Sequence, residues 1–254
     1  MKPIFTSFLL LFSLNIFSQT RDTINVTAKD LNMNFVPSGH ISYLVFNRKP
    51  KDHAAEKLVK VNINIHKDLY QNKNSFIIDQ VWEADTIVHS AHTVLNADDA
   101  STLLHTSFWK RLGYSATYDF ISKKISYDKV IPDSVVQKNE ADFKKSFADF
   151  RLNWHSDLIV FTMLPYKAGR SFRMPFYDPG FGEPATEIYS VIGSEVLTEH
   201  DGKPTDCWIL NLDFTSQPGA YQRFWIVKSN QQILKEEDYY MGGYRYKLLF
   251  ALKE

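Results

Sequence analysis

Apolar and polar positions alternate with a period of two through most of this chain. Val59, Val61, Ile63 and Ile65 alternate with Lys60, Asn62, Asn64 and His66, the pattern of a strand with one buried face. Residues 40–48 read as an earlier strand. Residues 75–95 are long and rich in β-branched side chains, which predicts two strands. Residues 108–129 predict two more, turning around Lys123-Lys124. In the last third, residues 187–198 form a strand and Asp201-Gly202 a tight turn, since glycine accepts positive φ. Residues 207–214 return with Trp208, Leu210, Leu212 and Phe214 on one face. Residues 221–228 and 232–239 form a hairpin across Ser229-Asn230. After a turn at Met241-Gly242-Gly243, the final strand places Tyr244, Tyr246, Leu248, Phe250 and Leu252 on one face. Arg245, Lys247 and Lys253 fall on the other.

One region breaks the period. Between 139 and 165, Phe143, Phe147 and Phe150 recur at spacings of four and three, and Leu158 and Phe161 follow. Two short helices are expected here, joined near Asn153, with Asn139 and Ser156 as N-caps and Pro165 ending the run. Their aromatic stripe reads as core packed on a sheet. Residues 165–184 are the only loop-like interval. With no repeat and no linker, the chain is expected to be mainly β, a set of antiparallel hairpins carrying one or two short helices, in one domain over 19–254.

The first eighteen residues stand apart. Met1-Lys2-Pro3 gives a positive start, residues 4–17 are mostly apolar, and Ser18 offers a small residue at a cleavage point. This is the layout of a secretory signal peptide. The apolar run is shorter than the ~20 residues of a membrane span, and Asn15 interrupts it. Export to the periplasm or exterior of a Gram-negative-type bacterium is the expectation, with no membrane-spanning segment.

Composition narrows the partners. The 254 residues carry 29 basic and 29 acidic side chains, so a nucleic-acid partner, which needs a basic footprint, is not expected. Aromatic residues make up 15%, which suits strands. Cys207 is the single cysteine. No internal disulfide can form, and a small buried strand residue is its expected role.

Candidate chemistry is thin. Gly180-Phe181-Gly182-Glu183-Pro184-Ala185 fits the dinucleotide fingerprint, and Asp201 falls at a suitable distance. That fingerprint needs a parallel strand before it and a helix after it. Prolines flank the glycines, and an alternating strand follows, so a surface loop is expected and no cofactor. His89 and His92 are three apart, which in a strand puts them on opposite faces. His40, His53, His66, His105, His155 and His200 are scattered, so no metal site is expected. Gly193-Ser194 lacks the nucleophile elbow. The neighbouring carboxylates Asp98-Asp99 and Glu236-Glu237 read as solvated turn or edge charges. No catalytic residue is assigned.

From Asn153 onward the order of features is specific: NWHSDLIVFTMLPYKAG, then VIGSEVLTEHDGKPTDCWILNL, YQRFWIVKSNQQILKEE and GYRYKLLF. The pieces that match are Gly193 with Glu195, Gly202, Cys207-Trp208, Trp225-Ile226 and Leu234-Lys235. Upstream, HTVLNADDASTLLHTSFW and YDFISKKISYD match less specifically. The chain resembles a family of secreted bacterial proteins described only as a domain of unknown function, itself similar to periplasmic lipoprotein carriers. The resemblance implies a curved antiparallel half-barrel wrapped around helices, and it transfers no catalytic residues. No cysteine stands near the cleavage point for lipid attachment, so an anchored acceptor role is not expected.

Such a concave apolar face leaves two readings open. If the helices do not fill it, it holds an apolar small molecule or lipid, with Trp208, Leu210, Leu212, Phe224 and Ile226 as walls. If they do, those side chains are core, and the protein acts through an edge or loop in envelope assembly. A hydrolase is a third reading, and it requires a cleft that joins two histidines and a carboxylate.

Overall fold

The structure is a computed structural model that describes residues 22–52, 54–199 and 202–250. The expected signal segment, His53, His200, Asp201 and the end of the last strand, with Leu252 and Lys253, lie outside the described residues.

Among the described residues, fifteen strands form one sheet. In chain order the first eight are β1 (Thr23–Asn25), β2 (Gly39–Arg48), β3 (Glu56–Tyr70), β4 (Lys73–Glu83), β5 (Ile87–Asn96), β6 (Thr102–Trp109), β7 (Tyr114–Asp119) and β8 (Lys124–Tyr127). Helix α1 (Asp133–Lys145), β9 (Leu152–Asn153) and the single-turn α2 (Asp157–Val160) follow. The chain then runs through β10 (Ser171–Tyr177), β11 (Ala185–Thr198), β12 (Pro204–Asp213), β13 (Tyr221–Val227), β14 (Ile233–Tyr240) and β15 (Gly243–Leu249). The spatial order is β1-β10-β11-β12-β13-β14-β15-β2-β3-β4-β5-β6-β7-β8, with β9 beside β10. Pairing is antiparallel except that β1 and β9 lie parallel to β10. The sheet is curved and not closed, as the half-barrel expectation requires.

Tight turns set the register. Gln71 and Asn72, both at positive φ, join the Tyr70–Lys73 pair of β3 and β4. Met241 and Gly242 do the same between Tyr240 and Gly243. Two left-handed residues in succession match the twist of the flanking strands. β15 then pairs with β2, Tyr246 opposite Phe46 and Lys247 opposite Val45, and so joins the two halves of the sheet.

The concave face wraps a plug, residues 152–164. Leu158, Ile159, Val160, Phe161, Met163 and Leu164 are buried in one core with Val61, Ile63, Ile65 and Ile78 from one wall and Leu210, Leu212, Phe224 and Ile226 from the other. Phe161 sits 4.7 Å from Phe224 and 4.9 Å from Tyr189, ring to ring. Helix α1 bridges the open side of the sheet. Its Phe143 meets Tyr118 of β7 at 5.4 Å and Tyr177 of β10 at 6.3 Å.

Three expectations need correction. Residues 165–184 are not all loop, because they contain β10, whose Phe172, Met174 and Phe176 are fully buried. Helix α1 begins at Asp133 after Pro132, so Asn139 lies inside it, where its amide donates to the Tyr127 hydroxyl at 3.1 Å. Pro132 has no N–H to leave unsatisfied and marks the helix start. Ser156 does occupy the position before α2, but its hydroxyl makes no capping bond. Third, Glu236 is no solvated edge charge: it is 1% exposed, for reasons given below.

Candidate functional site

Cavities open on either side of the plug. The apolar one has a volume of about 480 Å³. Its walls are Ile41 and Tyr43 of β2, Ile63 of β3, Leu158 and Ile159 of the plug, and Ile233 of β14, with Phe35, Val36 and Pro37 along one side. Asn34, Ser38, Ser229, Asn230 and Gln232 add polar groups. The Tyr43 hydroxyl is consumed inside the wall, donating to the Ile233 carbonyl at 3.1 Å.

The second is a cleft of about 800 Å³ between Trp154, Phe214 and Tyr240. It shares Trp154, Gln222 and Arg245 with an inner chamber of about 180 Å³. The floor of the chamber is charged. The Arg245 guanidinium donates to Asp238 Oδ2 at 2.6 Å and to Glu236 Oε1 at 2.7 Å. Lys247 Nζ pairs with Glu236 Oε2, and Gln222 Nε2 donates to Glu236 Oε1 at 3.2 Å. The hairpin register makes this inevitable, because Glu236 faces Lys247 and Asp238 faces Arg245 across β14 and β15. The alternation read in β15 is therefore real, but its charged face looks inward.

Burial and the neighbouring Glu236 charge push the Asp238 carboxyl up to about 7. Burial pushes Asp157 up to about 6, with Lys247 pulling the other way. Glu236 is held below its ordinary value: burial opposes this, but Lys247 and Arg245 outweigh it. Asp238 Oδ1 and the indole nitrogens of Trp82 and Trp109 are buried with no hydrogen-bond partner.

Histidines gather beside this floor. His155 lies with its ring 4.5 Å from His105 and 5.3 Å from His89, and its Nε2 is 3.0 Å from Asp178 Oδ1. His89 stacks on Trp109 at 3.8 Å and hydrogen-bonds the Phe108 carbonyl at 2.7 Å. Its pKa falls to about 4, first through burial and then through His155. His105 is shifted down for the same reasons and contacts Thr93 Oγ1 at 2.9 Å. His92 lies on the other face, paired with Asp79 at 2.7 Å. Of His89, His105 and His155, only His155 has a carboxylate in reach among the described residues, and the hydroxyl bonded to His105, Thr93, is wholly buried. Among the described residues no set of three His, Cys, Asp or Glu side chains is placed to hold a metal. Gly180-Phe181-Gly182 leads into β11 and not into a helix.

The structure does bring the sequence-nominated wall together, but as core. Leu210, Leu212, Phe224 and Ile226 are buried around the plug. Trp208 is half-buried under Lys228, whose Nζ stands 4.3 Å from the ring centre. None of the five lines either of the two larger cavities or the inner chamber. Sequence reasoning missed Glu236, Asp238, Arg245 and Lys247 as a set. The signal was present: folding 232–249 about Met241-Gly242 pairs Glu236 with Lys247 and Asp238 with Arg245.

The fold and its cavities define a class: an open antiparallel half-barrel around an inner plug, with pockets between plug and wall. Residues 42–248 match the family model described as "Protein of unknown function (DUF3108)", and the chain belongs to that family. No curated protein matches it. Among solved structures it is similar to a candidate lipoprotein from Parabacteroides distasonis, at 13% identity over 86% of this chain and 96% of that one, TM-score 0.35. A beta-barrel-like DUF1849 protein from Brucella abortus gives 9% identity over 84% and 97%, TM-score 0.35. A candidate outer membrane lipoprotein-sorting domain from Vibrio parahaemolyticus gives 10% over 89% and 92%, TM-score 0.26. Likeness at this level says nothing about what this chain binds. Among the described residues no helix is long and apolar enough to cross a membrane.

Proposed function

We propose that this protein is an exported, non-enzymatic binding protein of the bacterial envelope that holds the apolar chain of an amphiphile. The observation that carries this reading is the 480 Å³ cavity walled by Val36, Ile41, Ile63, Leu158, Ile159 and Ile233. Its size falls within the roughly 300–1,000 Å³ of small-molecule sites. An acyl chain placed there leaves water, worth ~25 cal/mol per Å² of apolar surface. Asn34, Ser38, Asn230 and Gln232 suit a polar end. The ligand thus lies between β2, β3 and the plug, not against Trp208, Leu210, Leu212, Phe224 and Ile226. Loss of residues 1–18 on export belongs to the same proposal, and sequencing the mature N-terminus tests it.

The experiment is a titration with the fluorescent fatty acid cis-parinaric acid. Wild type is expected to bind it, and Ile41→Trp, which fills the half-buried wall with a larger apolar ring, to lose at least tenfold in affinity while staying folded. Equal binding by both, or none by wild type, would overturn the site. The packing of Phe161 against Phe224 favours the second reading, an envelope assembly protein with a filled core, and absence of binding by folded wild type would leave that one standing.

A further inference from the structure

The cleft on the other side of the plug shares only Leu158 with the apolar cavity, and that through its inner chamber. Its aromatic walls are Trp154, Phe214 and Tyr240, while the Tyr244 ring packs on Tyr239 and Tyr246 on the other face of the sheet. Its inner end is hydrogen-bonding, with Gln222, Asp238 and Arg245, then Glu236 and Lys247. Together, cleft and chamber are lined by as many cationic as carboxylate side chains.

Among the described residues, Glu236 Oε2 has Lys247 beside it and His155 Nε2 has Asp178 Oδ1, which leaves three buried atoms of the site without a partner. Asp238 is 8% exposed and lines the cleft. Its Oδ2 is taken by Arg245, while Oδ1 has no donor. Trp82 and Trp109 line the chamber, and their indole N–H groups have no acceptor. Unsatisfied buried polar atoms cost free energy, and a site built around them is poised for a ligand that satisfies them. The complement is mixed: two vacant indole donors and one carboxyl oxygen, an acceptor when Asp238 is ionised.

Ligand charge is constrained from both sides. At the inner end an anion meets Asp238 and Glu236, and a cation meets Arg245 and Lys247; Arg48, Lys49, Lys57 and Glu56 line the rest of the cleft. The two indole faces of the chamber are already occupied, with Lys247 Nζ 5.3 Å from the Trp82 ring and the Arg111 guanidinium 4.9 Å from Trp109, and Trp154 meets the Phe176 ring edge-on at 4.8 Å. A neutral ligand whose hydroxyls both donate and accept, and whose C–H faces pack on aromatic rings, meets every condition. We infer that this cleft binds a neutral saccharide, held by Asp238, Gln222 and Arg245 between Tyr240, Phe214 and Trp154.

This site is independent of the acyl cavity, so the two fail separately. The test is a glycan array that carries neutral and anionic bacterial envelope glycans, probed with wild type, Tyr240→Ala and Asp238→Asn, each checked by thermal melt and by cis-parinaric acid binding. Tyr240 is half exposed, so its truncation leaves the fold intact. Wild type is expected to bind neutral glycans. Tyr240→Ala should weaken this about three- to tenfold, the scale of one lost aromatic contact, with the melt and the fatty-acid titration unchanged. Asp238→Asn, which trades an acceptor for a donor, should weaken it at least as much. Folded wild type that binds no glycan, binding confined to anionic glycans, or full binding by Tyr240→Ala would each overturn the inference.

Discussion

Glu236 shows what a single residue of this protein has to reconcile. It is a carboxylate 1% exposed, and a charge taken out of water is tolerated only when partners replace the water. Lys247, Arg245 and Gln222 do so. Asp238 is less well served, with one oxygen unpartnered and its pKa lifted to about 7. The folded state therefore holds a proton more tightly than the unfolded chain, whose aspartates titrate near 3.8. From about pH 4 to about pH 7, Asp238 draws stability down as pH rises. His89, lowered to about 4, acts the opposite way: it favours the folded state above pH 6.5, and that stability is lost as pH falls toward 4. The two effects overlap, so the informative quantity is a difference. Urea melts of Asp238→Asn and wild type between pH 4 and 8 should show the variant gaining relative stability up to about pH 7 and levelling above it. A difference independent of pH would contradict the assignment. Cys207 is a simpler case. It is buried on the convex side with Trp225 and Val227, and burial together with Asp206 lifts its thiol to about 11. Native protein should resist a bulky thiol reagent, and Cys207→Ser should cost about 1 kcal/mol through a buried hydroxyl. Burial of Cys207 was legible in its apolar strand. The inward turn of Arg245 and Lys247 was not, because alternation assigns two faces without saying which is the core.

At the scale of elements, strands with clean alternation were readable: β2 to β5 and β11 to β15 fall where the period places them. β10 was hidden because Pro175 and the prolines after it speak for a loop. Yet Phe172, Met174 and Phe176 keep the alternation, and Pro175 is accommodated opposite Thr186. Helix α1 was shifted because its first turn, Asp133-Ser134-Val135-Val136, carries no aromatic stripe. Its task is to bridge the open side of the sheet, and its anchor is Phe143, 3% exposed. Phe143→Ala is expected to cost roughly 3–5 kcal/mol, the range for a buried aromatic, measured by urea melts. A loss below about 1 kcal/mol would show that the helix does not hold the two ends. Gly180 belongs to the same junction. It sits at φ +89°, and a Cβ there would lie 2.9 Å from the Tyr118 hydroxyl. Gly180→Ala is thus disfavoured by backbone and by space together. It should lower the melting temperature, whereas alanine at Gly219, also at positive φ but with open space around it, should lower it less. A reversed ranking would remove the Tyr118 contact from the account.

The whole molecule is an open sheet bent around its own plug, and its cavities follow from how incompletely that plug fills the concavity. Against β11 to β13, Phe161 closes the space with Tyr189 and Phe224. Against β2 and β3 it does not, and the apolar cavity opens there. Alternation revealed antiparallel strands and an aromatic segment packed on them, and the family resemblance implied the curvature. Neither could say on which side the plug would pack, because Leu210, Phe224, Ile41 and Ile63 are equally apolar; only the path of the chain between Asn153 and Leu164 decides. The central claim is that the cavity beside Ile41 carries an amphiphile in the cell. Native mass spectrometry of protein purified gently from its own envelope tests this most directly. The account predicts a population heavier than the chain by the mass of one lipid, present in wild type and missing from Ile41→Trp. Wild type and variant both at the bare chain mass, or an adduct equally abundant in both, would contradict it.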